Sequence, residues 1–262
     1  MIPKYLYHYT SIDTLKTILI EKTFKFSRLD IMNDPLEGVI KLSGNDVNIN
    51  ARKLVFCSCW SSDPNESISM WGIYNRFKGV RIKARSDMFA DFCNLYECNM
   101  GFIPYGNIIP IKCGKRATID NRDIMINKIY GPMKIDYFSS EELGKSIVYY
   151  DSIGLSENEP QIAVNIVDLG NQKNKYWEYE KEWRYKLSAF SKEVSKESSI
   201  LQTTDDNEDY DALYVPFKRD LEEILLGPEV EVNDFEALMD FLKNKGITIP
   251  VKRSKIRIRS RV

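Results

Sequence analysis

Alternating apolar and polar positions at the start of the chain predict a strand, followed by a helix and a second strand. Residues 4–9 alternate, with Leu6 and His8 on one side and three tyrosines on the other. This alternation is typical of a half-buried strand, because successive side chains point to opposite faces. The apolar stripe that follows predicts a short helix with Thr10 as its N-cap. Residues 23–27 then predict the second strand.

The same alternation recurs in residues 177–185, which read Trp-Glu-Tyr-Glu-Lys-Glu-Trp-Arg-Tyr. As a strand, this segment places most of its aromatic side chains on one face, and the opposite face carries Glu178, Glu180, Glu182 and Arg184. Three carboxylates with a single cation repel one another unless they meet solvent, further cations or a ligand. We therefore expect the aromatic face to pack against the core and the acidic face to open onto water or a cleft. A solvated edge strand is the alternative without a functional role.

The remaining pattern predicts one mixed domain. A helix is expected at 66–77, with Tyr74 near its end, and strands are expected over 247–261. Residues 191–211 are polar and acidic, which is typical of a mobile loop. Because no repeat or linker interrupts the chain, residues 1–262 are predicted to form a single α+β domain with mixed, mostly antiparallel sheets and flanking helices.

The composition indicates an ordinary soluble globular protein. Of the 262 residues, 43% are hydrophobic and 29% are charged, and the formal net charge is −1. This balance argues against a protein-wide field that attracts nucleic acids or membranes. No apolar run approaches the roughly 18 residues of a membrane span, and no signal peptide is recognisable. A cytoplasmic protein without a membrane partner is the expectation.

Several kinds of catalysis are excluded by the residues present. His8 is the only histidine, so a centre with several histidine ligands is impossible. The pair Cys57 and Cys59 lacks the spacing of a zinc site, and the five cysteines are expected to be reduced thiols. Neither a glycine-rich phosphate loop nor a serine-hydrolase elbow is present. We therefore expect no metal site, and any catalysis must use carboxylates, aromatic rings and backbone groups.

His8 is the first candidate for a binding residue. It precedes a predicted helix start, where anionic ligands bind well, and Tyr9 and Thr10 add hydroxyl groups at the same place. A histidine that merely belongs to the core is the structural alternative. Asn33 and Asp34 form a second polar group in a segment that also reads as an ordinary turn.

Four ordered motifs carry a family resemblance. They are Tyr-His-Tyr-Thr-Ser at 7–11, Asn-Asp-Pro-Leu-Glu at 33–37, Met-Trp-Gly-Ile-Tyr at 70–74, and the segment 177–184. In this order they resemble the bacterial domain-of-unknown-function family 2971 over nearly the whole chain. That resemblance implies a family without supplying an activity.

A second resemblance implies an activity. The strand–helix–strand opening over 4–27 is similar to the start of ADP-ribosyltransferases, including the DarT-type enzymes that modify DNA. The similarity implies an ADP-ribosyltransferase-like fold with NAD as substrate. The resemblance implies that His8 binds the NAD ribose and the nicotinamide amide and that Tyr74 stacks on the nicotinamide. It also implies that Glu182 or Glu180 binds the ribose 2′-hydroxyl. The branch that modifies arginine normally has an arginine at the position of His8, so the acceptor stays open.

The leading hypothesis is therefore NAD-dependent ADP-ribosyl transfer to DNA, RNA or protein. A carboxylate near the ribose would stabilise the positive charge that develops when the nicotinamide bond breaks. The basic residues over 252–261 favour a nucleic-acid acceptor, and a role in bacterial toxicity or phage defence follows by analogy. The predicted catalytic residues are Glu180 and Glu182, and the predicted NAD-binding residues are His8, Tyr9, Thr10, Asn33, Asp34 and Tyr74.

Two alternatives remain at this point. One is a non-catalytic module that binds a nucleotide or a nucleic acid. The other is a magnesium-dependent nuclease that uses Asp34, Glu37, Glu180 and Glu182 as ligands. The transferase hypothesis requires His8 and Glu182 to face one pocket.

Overall fold

The computed structural model describes residues 1–42, 45–47, 50–89, 109–112, 114–116, 124–126, 129–143, 148–150, 162–164, 168–191 and 210–259. The α-helices of this part are α1 (Ile12–Glu21), α2 (Ile68–Asn75) and α3 (Val232–Asn244). Its strands are β1 (Tyr5–Thr10), β2 (Thr23–Arg28), β3 (Ile40–Leu42), β4 (Asn45–Val47), β5 (Val55–Ser61), β6 (Val80–Arg85), β7 (Ile109–Lys112), β8 (Lys115–Arg116), β9 (Ile124–Ile126), β10 (Tyr130–Lys134), β11 (Asp136–Phe138), β12 (Val148–Tyr150), β13 (Ile162–Val164), β14 (Gln172–Asn174), β15 (Glu182–Ser191), β16 (Ala212–Pro216), β17 (Glu223–Leu226) and β18 (Val251–Arg253).

Twelve of the described strands join one sheet. Its main order is β18-β17-β6-β1-β5-β2-β16-β7-β8, and β15 adds pairs with β5, β9 and β10. Within this sheet only β17 and β18 run parallel. The described chain is thus mixed in helix and strand, with a mostly antiparallel sheet and few helices, as the sequence predicts.

The first elements form where their patterns predict them. β1 buries Leu6 in the main core, and the apolar stripe of α1 packs beside it through Leu15, Ile18 and Leu19. The N-cap of α1 is Ser11 rather than the predicted Thr10, since the Ser11 hydroxyl accepts a hydrogen bond from the Thr14 N–H at 3.0 Å. Thr10 cannot take this role because it still belongs to β1 and pairs with Val80.

β1 and β5 touch at one register pair and separate on either side of it. β1 pairs with β6 along its whole length, and β5 pairs with β15 from Val55 to Ser61. Among the described residues, the pair Tyr7 and Ser61 alone joins β1 to β5, and the other end of β5 pairs with β2. Because Ser61 is also in register with Glu182, these three residues lie level across three neighbouring strands.

β15 separates the apolar core from a buried polar layer. Its core face carries Trp183, Tyr185 and Leu187, which pack among aromatic side chains of β2 and β5. The opposite face carries four polar or charged side chains that are at most 3% exposed, namely Glu182, Arg184, Lys186 and Ser188. The predicted alternation is therefore correct for this half of the motif, but the acidic side does not open onto water.

The first half of the predicted strand over 177–185 is wrong. Residues Lys175–Glu180 form a 3₁₀-helix, which Asn174 caps through its side chain. Lys181 leaves this helix in the left-handed region with φ 46°, and β15 begins only at Glu182. The last glutamate of the helix and the first of the strand therefore do not share a strand face, because the chain turns between them.

Among the described residues, one short strand is present where the sequence predicts several C-terminal strands. Within the span 247–261, only Val251–Arg253 lies in the sheet among the described residues. The chain then leaves the sheet because the Ser254 hydroxyl and the next backbone N–H both donate to the Glu66 carboxylate. Most of the loop predicted at 191–211 lies outside the described residues. In the described part, no helix is long and apolar enough to cross a membrane.

Candidate active site

A pocket lies where β1 and β5 separate. Its volume of about 70 Å³ is several times the space that one water molecule requires. It is lined by residues from β1, β5, α2 and the junction between the 3₁₀-helix and β15. Five predicted site residues line it together: His8, Tyr9, Tyr74, Glu180 and Glu182. His8 and Glu182 thus face one pocket, as the transferase hypothesis requires.

His8 bridges the two separating strands. Its Nδ1 lies 2.9 Å from the Cys59 carbonyl oxygen, and because a carbonyl only accepts, Nδ1 must carry the proton and donate. The ring packs against Trp60, with 5.0 Å between the ring centres. Burial lowers the pKa of His8, and the hydrogen bond to Cys59 opposes this effect. His8 is therefore neutral at pH 7, and its Nε2 is a hydrogen-bond acceptor.

Glu182 is held as a carboxylate by two cations. Arg184 donates from Nε to Oε1 at 2.5 Å and from a terminal nitrogen to Oε2 at 3.0 Å. The Lys173 ammonium donates to Oε2 at 3.0 Å. Burial alone would raise the pKa of Glu182, but the charges of Arg184 and Lys173 outweigh it and hold this pKa well below its usual range. Glu182 is therefore ionised throughout the physiological range.

Lys173 lies at the centre of a buried group of carboxylates. Its Nζ is 2.6 Å from Glu180, 3.0 Å from Glu182 and 3.2 Å from Glu37, and the side chain is 3% exposed. Burial acts to lower the pKa of Lys173, but Glu182 and Glu37 outweigh it, so the pKa is raised. Sequence reasoning missed Lys173. The signal for it was the excess of glutamates near 180, for which further cations were one of the expected partners, beside solvent or a ligand.

Glu180 differs from Glu182 in its titration. The Tyr74 hydroxyl donates to Glu180 Oε1 at 2.5 Å, and Lys173 donates to the other oxygen. Burial nevertheless raises the pKa of Glu180 to about 7, with the charge of Lys173 acting against the rise. Near neutral pH, Glu180 can therefore both take up and release a proton, which is the property of an effective general base.

The charges of this cluster explain why one carboxyl retains a proton. Glu37, Glu180 and Glu182 face two cations, since Arg184 contacts Glu37 at 2.9 Å as well as Glu182. Two of the three carboxylates are balanced by Lys173 and Arg184, and the third is buried without a full counter-charge. A proton on Glu180 removes this excess, in agreement with its raised pKa.

Three predicted residues are not among those that line the pocket. Thr10 ends β1 with its side chain buried, and Asn33 is exposed. Asp34 is 4% exposed, and its two oxygens accept backbone N–H groups of Leu36 at 3.0 Å and Asn174 at 3.3 Å. Asp34 thus fixes the segment that carries Lys173. A role for these three residues in NAD binding stays a prediction.

The donors suggested for magnesium do not form a metal site. Glu37, Glu180 and Glu182 do come together, but the ammonium of Lys173 occupies the position between them. The oxygens of Asp34 are used by backbone N–H groups. Among the described residues, no group of three or more histidine, cysteine, aspartate or glutamate side chains could hold a metal ion.

Comparisons with known proteins give two structural similarities. The chain is similar to DarT from Thermus sp. 2.9 in complex with NAD⁺, with 10% identity and a TM-score of 0.31. It is also similar to the same protein in complex with carba-NAD⁺, with 11% identity and a TM-score of 0.30. Both alignments cover 97% of each chain. Such TM-scores are too low for an argument about function, which must come from the pocket.

No family model and no curated protein sequence matches the chain significantly. The resemblance to domain-of-unknown-function family 2971 is therefore not confirmed.

Proposed function

We propose that the chain is an ADP-ribosyltransferase-like enzyme that binds the nicotinamide riboside end of NAD in this pocket. The observation that carries the proposal is the meeting of His8, Tyr74, Glu180 and Glu182 at one cavity. These residues come from three motifs that are far apart in the sequence. They supply an aromatic ring, a neutral imidazole, a fixed negative charge and a titratable carboxyl, which together suffice for transfer from NAD.

The two carboxyl groups take different roles in this proposal. Glu182 is ionised and stabilises the positive charge that develops on the ribose as its bond to nicotinamide breaks. Nicotinamide leaves with the electron pair of that bond. The acceptor nucleophile then bonds to the ribose carbon, and its proton passes to the Glu180 carboxylate. His8 and Tyr74 orient the nicotinamide and the ribose for this reaction.

The acceptor is proposed to be a nucleic acid, with protein as the alternative. Alternate residues of the C-terminal segment, Lys255, Arg257 and Arg259, are exposed, and Ile256 between them packs near Tyr9 of the pocket. Exposed cations beside a reactive site attract a phosphate backbone. A place in bacterial toxicity or phage defence is part of the same proposal and follows from analogy alone.

The direct experiment is to measure nicotinamide release from NAD by the purified protein, with DNA, RNA and protein extracts as acceptors. Glu180→Gln and Glu182→Gln are each expected to lower kcat by about 100-fold or more, because each removes a group that acts in the transition state. His8→Ala is expected to raise KM for NAD.

Glu178→Gln is the matched control. Glu178 lies on the same 3₁₀-helix as Glu180, but its side chain is exposed. This variant should release nicotinamide at the wild-type rate. Unchanged rates in the Glu180 and Glu182 variants would contradict the proposal. Absence of both turnover and NAD binding, measured by calorimetry, would leave the non-catalytic binding module in its place.

A further inference from the structure

Arg81 is a buried cation that forms no ion pair with any carboxylate of the described residues. It lies on β6 opposite Tyr9 and is 6% exposed. One terminal nitrogen donates to the Pro64 carbonyl oxygen at 3.1 Å. Its Nε has no hydrogen-bond partner, although it is completely buried. One donor of the guanidinium is thus left unsatisfied where burial makes a missing partner costly.

This guanidinium lies directly behind one wall of the pocket. Its carbon is 4.6 Å from the centre of the Tyr7 ring. It also hydrogen-bonds to the Tyr9 hydroxyl: burial raises the pKa of Tyr9, and both the charge of Arg81 and this hydrogen bond oppose the rise. Both tyrosines line the pocket. Arg81 itself is not among the lining residues, so these rings must shift before a ligand that extends from the pocket contacts the guanidinium.

While Glu180 is ionised, the cluster of three carboxylates and two cations carries one net negative charge at one end of the pocket, and Arg81 is a cation at the other end. Glu180 and Glu182 lie on the side of β15, and Arg81 lies on the side of β6. The strand order β6-β1-β5-β15 puts three strand spacings, about 14 Å along the sheet, between Arg81 and Glu182. A ligand that develops positive charge at one end and carries a negative group at the other matches this arrangement.

We propose that Arg81 and the Tyr9 hydroxyl form an anion subsite, which holds the diphosphate of the dinucleotide whose ribose lies at Glu182. This inference rests on the proposed function for the choice of ligand. The planar fork of a guanidinium matches two phosphate oxygens at once, which an ammonium group does not. The diphosphate supplies the counter-charge that Arg81 otherwise lacks.

The test measures binding by calorimetry with two probes. ADP-ribose carries the diphosphate, and nicotinamide riboside carries none. Arg81→Gln is expected to weaken ADP-ribose binding at least tenfold and to leave nicotinamide riboside binding unchanged. Arg81→Lys keeps the charge but loses the fork, and an intermediate loss is expected. Inorganic pyrophosphate should compete with ADP-ribose for the wild-type protein.

Lys83→Gln is the matched control for the loss of one positive charge. Lys83 is two residues further along β6, and its ammonium lies 4.1 Å from the centre of the Tyr5 ring. Tyr5 is not among the residues that line the pocket. ADP-ribose binding by this variant should equal that of the wild type. An equal loss in both variants would reduce the effect to a general change of charge and overturn the proposal.

Other outcomes also decide the matter. The proposal falls if Arg81→Gln and Arg81→Lys bind ADP-ribose like the wild type, if pyrophosphate does not compete, or if both probes weaken equally. It falls as well if an oligonucleotide, and not ADP-ribose, loses affinity in these variants, since the phosphate would then belong to an acceptor. If ADP-ribose binding depends on Arg81 while NAD is never consumed, the subsite stands and the transfer proposal fails. If NAD is consumed with an unchanged KM in both Arg81 variants, the transfer stands and the subsite fails.

Discussion

Replacing Glu180 by glutamine removes a buried carboxyl that exchanges its proton near neutral pH. Burial raises the pKa of Glu180 from 4.5 to about 7. A carboxyl whose pKa is higher in the folded state stabilises the fold while it is protonated. This contribution is complete below the unfolded pKa and is lost as the pH rises through the folded pKa. Each pKa unit corresponds to about 1.4 kcal/mol, so the loss between pH 5 and pH 8 is roughly 2–3 kcal/mol.

Urea unfolding at a series of pH values measures this loss. Relative to Glu180→Gln, the free energy of unfolding of the wild type should fall by roughly 2–3 kcal/mol from pH 5 to pH 8. Glu182→Gln provides a contrast of opposite sign. The pKa of Glu182 is lowered in the folded state, so its stabilisation is present above the unfolded pKa and is lost only on acidification.

Glu182→Gln also removes a negative charge that helps to raise the pKa of Glu180, so the free energy of unfolding of this variant should depend less on pH between pH 5 and pH 8 than that of the wild type. Glu178→Gln, which changes an exposed side chain, should follow the wild-type curve throughout. A constant difference between the wild type and Glu180→Gln over this range would refute the reasoning. It would mean that the pKa of Glu180 is not raised in the folded state.

Three further substitutions test other contacts of the site. Tyr74→Phe removes the 2.5 Å donor to Glu180, so the pKa of Glu180 should rise further, and the ascending limb of the pH profile for nicotinamide release should move to higher pH. His8→Phe leaves the Cys59 carbonyl without its 2.9 Å donor and should lower the free energy of unfolding in urea by about 1–3 kcal/mol. Lys173→Met removes the ammonium from a nearly completely buried cluster and should destabilise the fold by roughly 3–5 kcal/mol at pH 8. The loss should be smaller at pH 5, where carboxyl groups take up protons, and thermal unfolding at both pH values measures it.

The sequence predicts local structure well where a pattern of apolar and polar residues is compatible with only one kind of element. The alternation of β1 correctly puts His8 and Leu6 on the opposite side from the tyrosines, because a strand buried against a core leaves little choice. The alternation from 177 onward is equally regular, yet a 3₁₀-helix ends at Glu180. There the side-chain cap by Asn174 and the left-handed backbone conformation of Lys181 determine the local structure, and neither can be recognised from the periodicity of the sequence.

The sequence indicates which residues meet at the pocket better than it indicates the electrostatics among them. Four of the predicted site residues, His8, Tyr74, Glu180 and Glu182, line one pocket, and their roles stay predictions. The excess of carboxylates indicated that solvent, further cations or a ligand must be near. This excess could not indicate Lys173 among 37 lysine and arginine residues, because the contact depends on how the chain turns through the 3₁₀-helix between β14 and β15. The pKa values of Glu180 and Glu182 differ because of this contact, so the sequence could not predict that difference either.

The single register pair between β1 and β5 has a mechanical consequence. β1 is bound to β6 along all of its residues, and β5 is bound to β15 along all of its residues. Between β1 and β5, Tyr7 and Ser61 form one register pair, and the ring of His8 adds one hydrogen bond to the Cys59 carbonyl oxygen. The sheet is therefore weakly connected between β1 and β5 at the pocket. These two strands can move apart while the hydrogen bonds of β1 with β6 and of β5 with β15 stay intact. A bound molecule that contacts both strands would hold them together. Ligand binding should therefore slow amide hydrogen exchange between β1 and β5 more than between β1 and β6 or between β5 and β15.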